Sequence, residues 1–284
     1  MADLISVIVA TYNRPDALDA VLRSLAGQAD RDFEIVVADD GSHADTGRLV
    51  ADWAKRTSVP VQHVWHEDKG FRLAEIRNRA IRVSGGSYCI FLDGDCLARP
   101  DFVAAHRALA RPGWFVTGSR LLLSRELTAD VLGGKLAAEQ WSLATWIGQR
   151  IRGRINRLAP LLFSRSGMST RRSQRRWRGA RGSNMAFWRS DLDAVDGFDA
   201  AFTGWGREDS DIFVRMIRHG VRRKDGRGGA TVLHLWHPEA DRSRLDVNQR
   251  QLDQLLAEPR VRAQQGLTWL AQSIERSRRE PAHP

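Results

Sequence analysis

Four short stretches hold side chains that could act on one ligand. Asp93-Gly94-Asp95 sets two carboxylates one residue apart, directly after the apolar run Tyr88-Cys89-Ile90-Phe91-Leu92. That run reads as a buried strand of a parallel sheet. Carboxylates just past an interior strand are costly unless something positive meets them. Open α/β sheets place ligands outside the carboxyl ends of their strands. Hard cations such as Mg²⁺ and Mn²⁺ take carboxylate oxygens and in turn hold phosphates. The plainer alternative is a solvated turn, since Asp-Gly is ordinary turn chemistry. The second stretch, Asp39-Asp40-Gly41-Ser42, also ends a strand-like run. The third, Gly204-Trp205-Gly206-Arg207-Glu208-Asp209-Ser210-Asp211, puts three acids in four positions at the start of a helical pattern continued by Phe213, Met216 and Ile217. Capping a helix needs one acid, not three. Trp205 between glycines suits a sugar-stacking platform on a flexible loop, against the alternative of a core tryptophan. The fourth is His234-Leu235-Trp236-His237, where two histidines off a strand end either meet one metal or form a surface pair.

The elements around these stretches alternate. Ile5 to Ala10 reads as a first strand, with Thr11-Tyr12-Asn13-Arg14-Pro15 as a turn and Leu18, Val21, Leu22 and Leu25 at helical spacing before Gly27. Phe33 to Ala38 is a second strand, followed by a helix over about 45–55. A third strand over 61–65 follows, then a helix over 73–83 in the stretch that carries Arg72, Arg77 and Arg79. Residues 101–109 read as a helix and 114–118 as a strand. This order predicts a doubly wound, mainly parallel α/β sheet. Neither a Gly-x-x-x-x-Gly-Lys-Ser/Thr loop nor a Gly-x-Gly-x-x-Gly after the first strand is present, which disfavours P-loop and dinucleotide classes.

The motifs Ser-Val-Ile-Val-Ala-Thr-Tyr-Asn-Arg, Glu-Ile-Val-Val-Ala-Asp-Asp-Gly-Ser and Phe-Leu-Asp-Gly-Asp resemble the nucleotide-binding half of family 2 glycosyltransferases of the GT-A fold, over roughly residues 4–125. The resemblance implies a nucleotide-sugar donor, UDP-linked by expectation, and a divalent metal, Mn²⁺ or Mg²⁺. It implies that Thr11, Tyr12, Arg14 and Asp40, with Asp39 beside it, hold base and ribose. Asp95 then binds the metal and Asp93 lies near the ribose or donor sugar, with Arg72 and Arg77 on the donor side. The intact Gly-Trp-Gly-x-Glu-Asp run at 204–209 is similar to a galactosyltransferase C-terminal region. That likeness implies Asp209 as general base, Glu208 assisting the acceptor, and Trp205 and Gly206 on the acceptor side. In the similar galactosyltransferases a Met-x-x-His supplies metal ligands. Here His234 replaces the Met, and both His234 and His237 are the expected ligands. The parts implied are a donor half at 1–125, a basic insertion at 126–181, a catalytic half at 182–240 and a helical extension at 241–284.

Charge is unevenly placed. The net charge is +10, yet no acid lies between Glu139 and Asp191, an interval that holds twelve arginines. Trp141, Ile147, Ile151, Ile155 and Leu158 recur at spacings near four with Arg150, Arg154 and Arg157 between them. They predict one basic amphipathic helix followed by a Ser/Arg-rich loop. Such helices lie on anionic membranes, or pack on their own domain with arginines reaching outward. No apolar run reaches membrane-spanning length. Two cysteines without metal-ligand spacing suggest a reducing compartment, and the amino-terminal residues lack a basic signal-peptide start. The expectation is a cytoplasmic enzyme, peripheral on the inner face of the plasma membrane. It would act on a saccharide or lipid-linked acceptor in surface polysaccharide synthesis, with no nucleic-acid partner. The rival is a non-catalytic polyanion- or nucleic-acid-binding protein using the arginines.

Overall fold

Ile5–Thr11 forms β1, the central strand of the computed structural model, which describes residues 3–162, 174–227 and 229–279. Its alternating side chains feed two apolar layers. Ile5, Val7 and Val9 point into one layer and Ile8 into the other. Pro15–Ala26 (α1) leads to Phe33–Asp39 (β2), Ala44–Arg56 (α2) to Val61–Trp65 (β3), and Leu73–Val83 (α3) to Tyr88–Asp93 (β4). Pro15 opens α1 where a backbone N–H has no helical partner to lose. The strands β3, β2, β1 and β4 are parallel neighbours, and the register sets Thr11 beside Asp39 and Ala10 beside Asp93. The acidic turns therefore share one edge of the sheet because the strands run parallel and in step.

Cys96–Ala98 (β5), Phe102–Leu109 (α4), Trp114–Thr117 (β6), Ser119–Leu122 (β7) and Arg125–Leu132 (α5) come next. Leu143–Ile151 (α6), Ala159–Leu162 (α7), Asn184–Trp188 (β8) and Arg189–Ala194 (α8) follow. Glu208–Arg218 (α9), Arg222–Asp225 (β9), Thr231–His234 (β10), Leu245–Ala257 (α10) and Leu267–Arg279 (α11) complete the chain. The main sheet runs β3-β2-β1-β4-β8-β6-β9. β8 inserts between β4 and β6, antiparallel to both, so the stretch after residue 182 shares a sheet with the first strands. A small second sheet, β5-β10-β7, brings His234 opposite both Cys96 and Leu122. The result is the expected mixed α/β sheet, mainly parallel, with helices at the C-terminal end.

The single amphipathic helix expected across 141–158 does not form. Ser142 caps α6 by accepting from the Thr145 N–H, and the helix stops at Ile151. Gly153 then takes a left-handed backbone, φ +69°, which glycine adopts without strain. The chain turns back, Ile155 enters the core against Leu123, and Arg154 pairs with Asp130. The periodic spacing was shared by a helix, a turn and a buried anchor. Most of the Ser/Arg-rich loop, 163–173, lies outside the described residues.

Behind α9, the side chains of Asp211 and Arg215 are fully buried and paired at 2.5 Å. Arg215 Nη1 also donates to the Val195 and Gly197 carbonyls at 2.8 Å. Replacing Asp211 with Ala strands a buried guanidinium without its counter-ion. Urea denaturation should register a loss of about 3–5 kcal/mol; a loss below about 1 kcal/mol would show that the two carbonyls suffice.

Candidate active site at the edge of the sheet

The turn after β4 crosses over β1. Gly94 N–H donates to Ala10 O at 2.7 Å, and a Cβ at Gly94 would sit 2.6 Å from that oxygen, so the middle residue of Asp93-Gly94-Asp95 must lack a side chain. The crossing aims Asp95 at β10. Leu235 N–H donates to Asp95 O at 2.9 Å, which docks the His234 to His237 stretch alongside. His234 Nε2 lies 3.7 Å from Asp95 Oδ1, and His237 Nε2 lies 3.2 Å from Asp95 Oδ2. One ligand atom from each of the three residues falls within 4.8 Å of the others. A carboxylate and two imidazoles at this spacing fit a divalent cation. The mixed set suits Mn²⁺ better than Mg²⁺, which prefers oxygen ligands.

The opposite wall is organised by Arg77 on α3, whose side chain is 1% exposed. Its guanidinium donates to Asp93 Oδ1 at 3.1 Å and to the Gly182 carbonyl at 3.4 Å, and lies 3.7 Å from Glu208 Oε1. It also sits over the Phe198 ring at 5.3 Å. Arg77 thus joins the end of β4 to the start of α9. Asp209, next in line, accepts from the Gly182 N–H at 2.9 Å on Oδ2, and from Ser210 N and Oγ on Oδ1. Gly182 is needed for that approach, because a Cβ there would lie 2.9 Å from Asp209 Cβ. Asp211 is committed to Arg215 and faces away from this wall.

Burial raises the Glu208 carboxyl to about 7, and the neighbouring Asp209 charge adds to the shift, while Arg77 opposes it. Burial likewise raises Asp93 against the pull of Arg77, and lowers His234.

The turns expected at the base and ribose are engaged with residues that the motifs did not flag. Asp39 accepts from Ser42 N at 2.8 Å and meets His63 at 2.9 Å. Asp40 meets His66 at 2.6 Å and accepts from the Arg72 N–H at 2.8 Å. The Arg72 guanidinium is spent on Glu75 and the Glu67 carbonyl, and Arg14 is drawn to Asp16 at 2.8 Å. Tyr12 is exposed and donates to Asp68 at 2.8 Å, and Thr11 Oγ1 is buried at the strand edge without a partner. Trp205 is exposed, not a core residue, with the Arg242 guanidinium 5.0 Å over its ring. Its loop is tied rather than flexible. Gly204 N–H donates to Phe71 O, while the fully buried Asn248 on α10 donates to the Thr203 and Gly206 carbonyls. Gly204, Gly206 and Arg207 all have positive φ. Asn248, His63 and His66 carried no local signal, since each matters only through a partner far away in sequence.

The raised Glu208 carboxyl makes stability depend on pH. Between its ordinary value of 4.5 and about 7, the folded chain holds a proton that the unfolded chain has released. This contribution is fully present below pH 4.5 and is lost as pH rises through 7. Glu208→Gln should therefore flatten the fall in unfolding free energy between pH 5 and pH 8, by roughly 1–3 kcal/mol. Denaturant titrations at the two pH values check this, and unchanged slopes in wild type and variant would refute it.

Comparison with known proteins identifies the family. Residues 6–150 match the sequence model of Glycosyl transferase family 2, and residues 164–237 match that of the N-terminal domain of galactosyltransferase. Validoxylamine A glucosyltransferase of Streptomyces hygroscopicus subsp. limoneus is 32% identical over 231 residues, spanning 77% of this chain and 49% of that protein. Chondroitin synthase of Escherichia coli is 27% identical over 242 residues, spanning 77% of this chain and 33% of that protein. The chain thus spans about half the length of the Streptomyces relative and less of the synthase. Among solved structures, the mannosyltransferase PcManGT from Pyrobaculum calidifontis, in complex with GDP-Man and Mn²⁺, superposes with a TM-score of 0.58 at 20% identity, covering 90% of this chain and 65% of that one. S. aureus TarS 1–349 in complex with UDP gives 0.56 at 16% identity, covering 94% and 68%. These likenesses carry the fold, which is GT-A. With the family match covering more than half of its residues, the chain belongs to glycosyl transferase family 2.

Proposed function

We propose that the chain is an inverting, metal-dependent glycosyltransferase that moves a sugar from a nucleotide-sugar, a UDP-sugar, to a saccharide acceptor in the assembly of a surface polysaccharide. The observation that carries this reading is the meeting of two walls. Asp95, His234 and His237 converge on one side, and Asp209 is mounted on Gly182 on the other, with Arg77 and Asp93 between them. The donor and metal are supported by the solved relatives bound to GDP-Man with Mn²⁺ and to UDP-GlcNAc.

The chemistry follows from the positions. Asp209 takes the proton of the acceptor hydroxyl as that oxygen attacks the anomeric carbon, and a single displacement inverts the centre. The Gly182 N–H holds the carboxylate in the orientation needed for this. Asp93, fixed by Arg77, orients the donor sugar. Glu208, whose carboxyl is raised by burial to about 7, donates a hydrogen bond to the acceptor while it holds its proton, and Trp205 offers the acceptor an apolar face. A divalent cation held by Asp95, His234 and His237 would neutralise charge on the departing diphosphate.

Two substitutions test this together. Asp95→Ala should abolish Mn²⁺-dependent binding of UDP or GDP. Asp209→Asn should keep that binding and lower turnover of a nucleotide-sugar by a factor on the order of 10² to 10⁴. The polyanion-binding alternative predicts indifference to both, so unchanged behaviour of both variants would sink the enzymatic reading.

We further propose that the protein lies on an anionic membrane surface through α6 and α7. Ile151 is 82% exposed and Leu162 60%, and Ile147 is also exposed. Arg150 and Arg152 stand exposed beside them. Each arginine near an anionic leaflet contributes about 1 kcal/mol. Arg150→Gln combined with Arg152→Gln should therefore weaken co-sedimentation with anionic vesicles at least tenfold at low salt. Equal sedimentation of variant and wild type would refute this surface.

A further inference from the structure

Several arginines near the site have a counter-charge. Arg77 faces Asp93 and Glu208, Arg14 meets Asp16, and Arg154 meets Asp130. Arg120, Arg157 and Arg181 form no ion pair with a carboxylate among the described residues. Arg120 lies on β7 opposite Val232, two residues before His234 on β10, and is half-buried. Arg157 reaches the same strand and donates from Nη2 to the Arg120 carbonyl at 3.1 Å. Arg181 immediately precedes Gly182, the residue that holds Asp209. The three side chains feel one another: partial loss of water lowers the pKa of the exposed Arg181, the Arg120 and Arg157 charges lower it further, and Asp209 opposes them. The Arg120 charge also reaches Asp93 and His234. Three like charges gathered at the rim of a cleft are unfavourable unless an anion joins them.

We propose that Arg120, Arg157 and Arg181 bind a phosphate or diphosphate group carried by the acceptor, a proposal that rests on the glycosyltransferase reading above. Guanidinium forks match phosphate oxygens two at a time. Three positive charges suit a group with two or more negative charges better than a lone carboxylate. The placement selects the acceptor over the donor. Arg181 is joined through Gly182 to the general base, where the acceptor hydroxyl must lie. The donor diphosphate has the Asp95, His234 and His237 set on its side of the cleft. A phosphorylated glycan and a lipid-diphosphate-linked glycan present the same group, and either would place its first sugar toward Asp209.

The test uses the full chain at low salt, with butyl phosphate as probe and calorimetry as readout, in the presence of saturating Mn²⁺ and UDP or GDP. Wild type should bind the probe. The double variant Arg157→Gln/Arg181→Gln should bind it at least about tenfold more weakly, as expected for lost charge-assisted hydrogen bonds. Its affinity for the nucleoside diphosphate with Mn²⁺ should stay within about twofold and its melting temperature should be unchanged, since both side chains are exposed. The charge-matched control Arg150→Gln/Arg152→Gln should bind the probe as wild type does. Equal weakening by the control would reduce the effect to a diffuse positive field and overturn the site. So would absence of probe binding to wild type, or a variant that loses nucleoside diphosphate but not probe, which would hand the arginines to the donor. If neither UDP nor GDP binds wild type with Mn²⁺, the donor reading fails instead. Probe binding to the nucleotide-free protein, with the same variants, then judges the arginines alone. A decoy with the same decoration, an alkyl diphosphate, extends the assay: tighter binding than butyl phosphate favours the lipid-diphosphate source, and equal binding favours the phosphorylated glycan.

Discussion

The site hangs on one buried cation. Arg77 is almost wholly removed from water, and two of its nitrogens, Nε and Nη1, have no hydrogen-bond partner. Such a group persists only where carboxylates compensate it. Asp93 from the end of β4 supplies the carboxylate that bonds it, and Glu208 from the start of α9 lies beside it, its carboxyl raised to about 7 by burial although Arg77 opposes the rise. Without the guanidinium, the buried Glu208 carboxyl and the partly exposed Asp93 carboxyl would lose the positive charge they share. The same side chain reaches the Gly182 carbonyl and covers Phe198. Arg77 is therefore a direct link between the early, parallel part of the sheet and the later helical part, alongside the Asn78–Phe198 and Gly204–Phe71 contacts.

Around that contact the scaffold separates rigid support from reactive groups. The apolar layers on either side of the sheet are filled by strand residues that alternate between the faces. The reactive side chains stand at strand ends and at one helix start, where backbone geometry rather than apolar packing sets their direction. Gly94 lets the acidic turn lie on β1, Gly182 lets Asp209 close on the 182 N–H, and the Gly204 to Arg207 turn is clamped by Asn248. The proposed general base and cation site, placed this way, keep their geometry without side-chain entropy being lost at the moment of binding.

The arginine-rich interval illustrates how one periodic pattern is divided by the fold. Arg154 turns inward to Asp130, Arg157 reaches β7, and Arg150 and Arg152 remain in solvent. Four arginines within eight positions of one another thus serve three different surroundings. Their charge was visible beforehand, but its distribution followed from Gly153 breaking the helix and Ile155 being claimed by the core.

The local signals were enough for the elements and for the chemistry at their ends. Strands β1, β2 and β4, helices α1 to α3 and the acidic turns all follow from periodicity and turn residues within a few positions. The order of motifs carried the resemblance that points to Asp95, His234, His237 and Asp209. Pairings over long separations were not legible, because a side chain's partner is set by which strands become neighbours. The insertion of β8 between β4 and β6 is what brings Gly182 to Arg77. Only then does Asp209, and not Asp211, face the cleft, although both lie on the same helix turn. Asp211 meets Arg215 one helical turn on and is buried with it, while Asp209 points the other way to Gly182. The residue types were written in the sequence, and their division into a buried structural pair and a carboxylate facing the cleft was decided by helix geometry and by what the sheet had placed on each side.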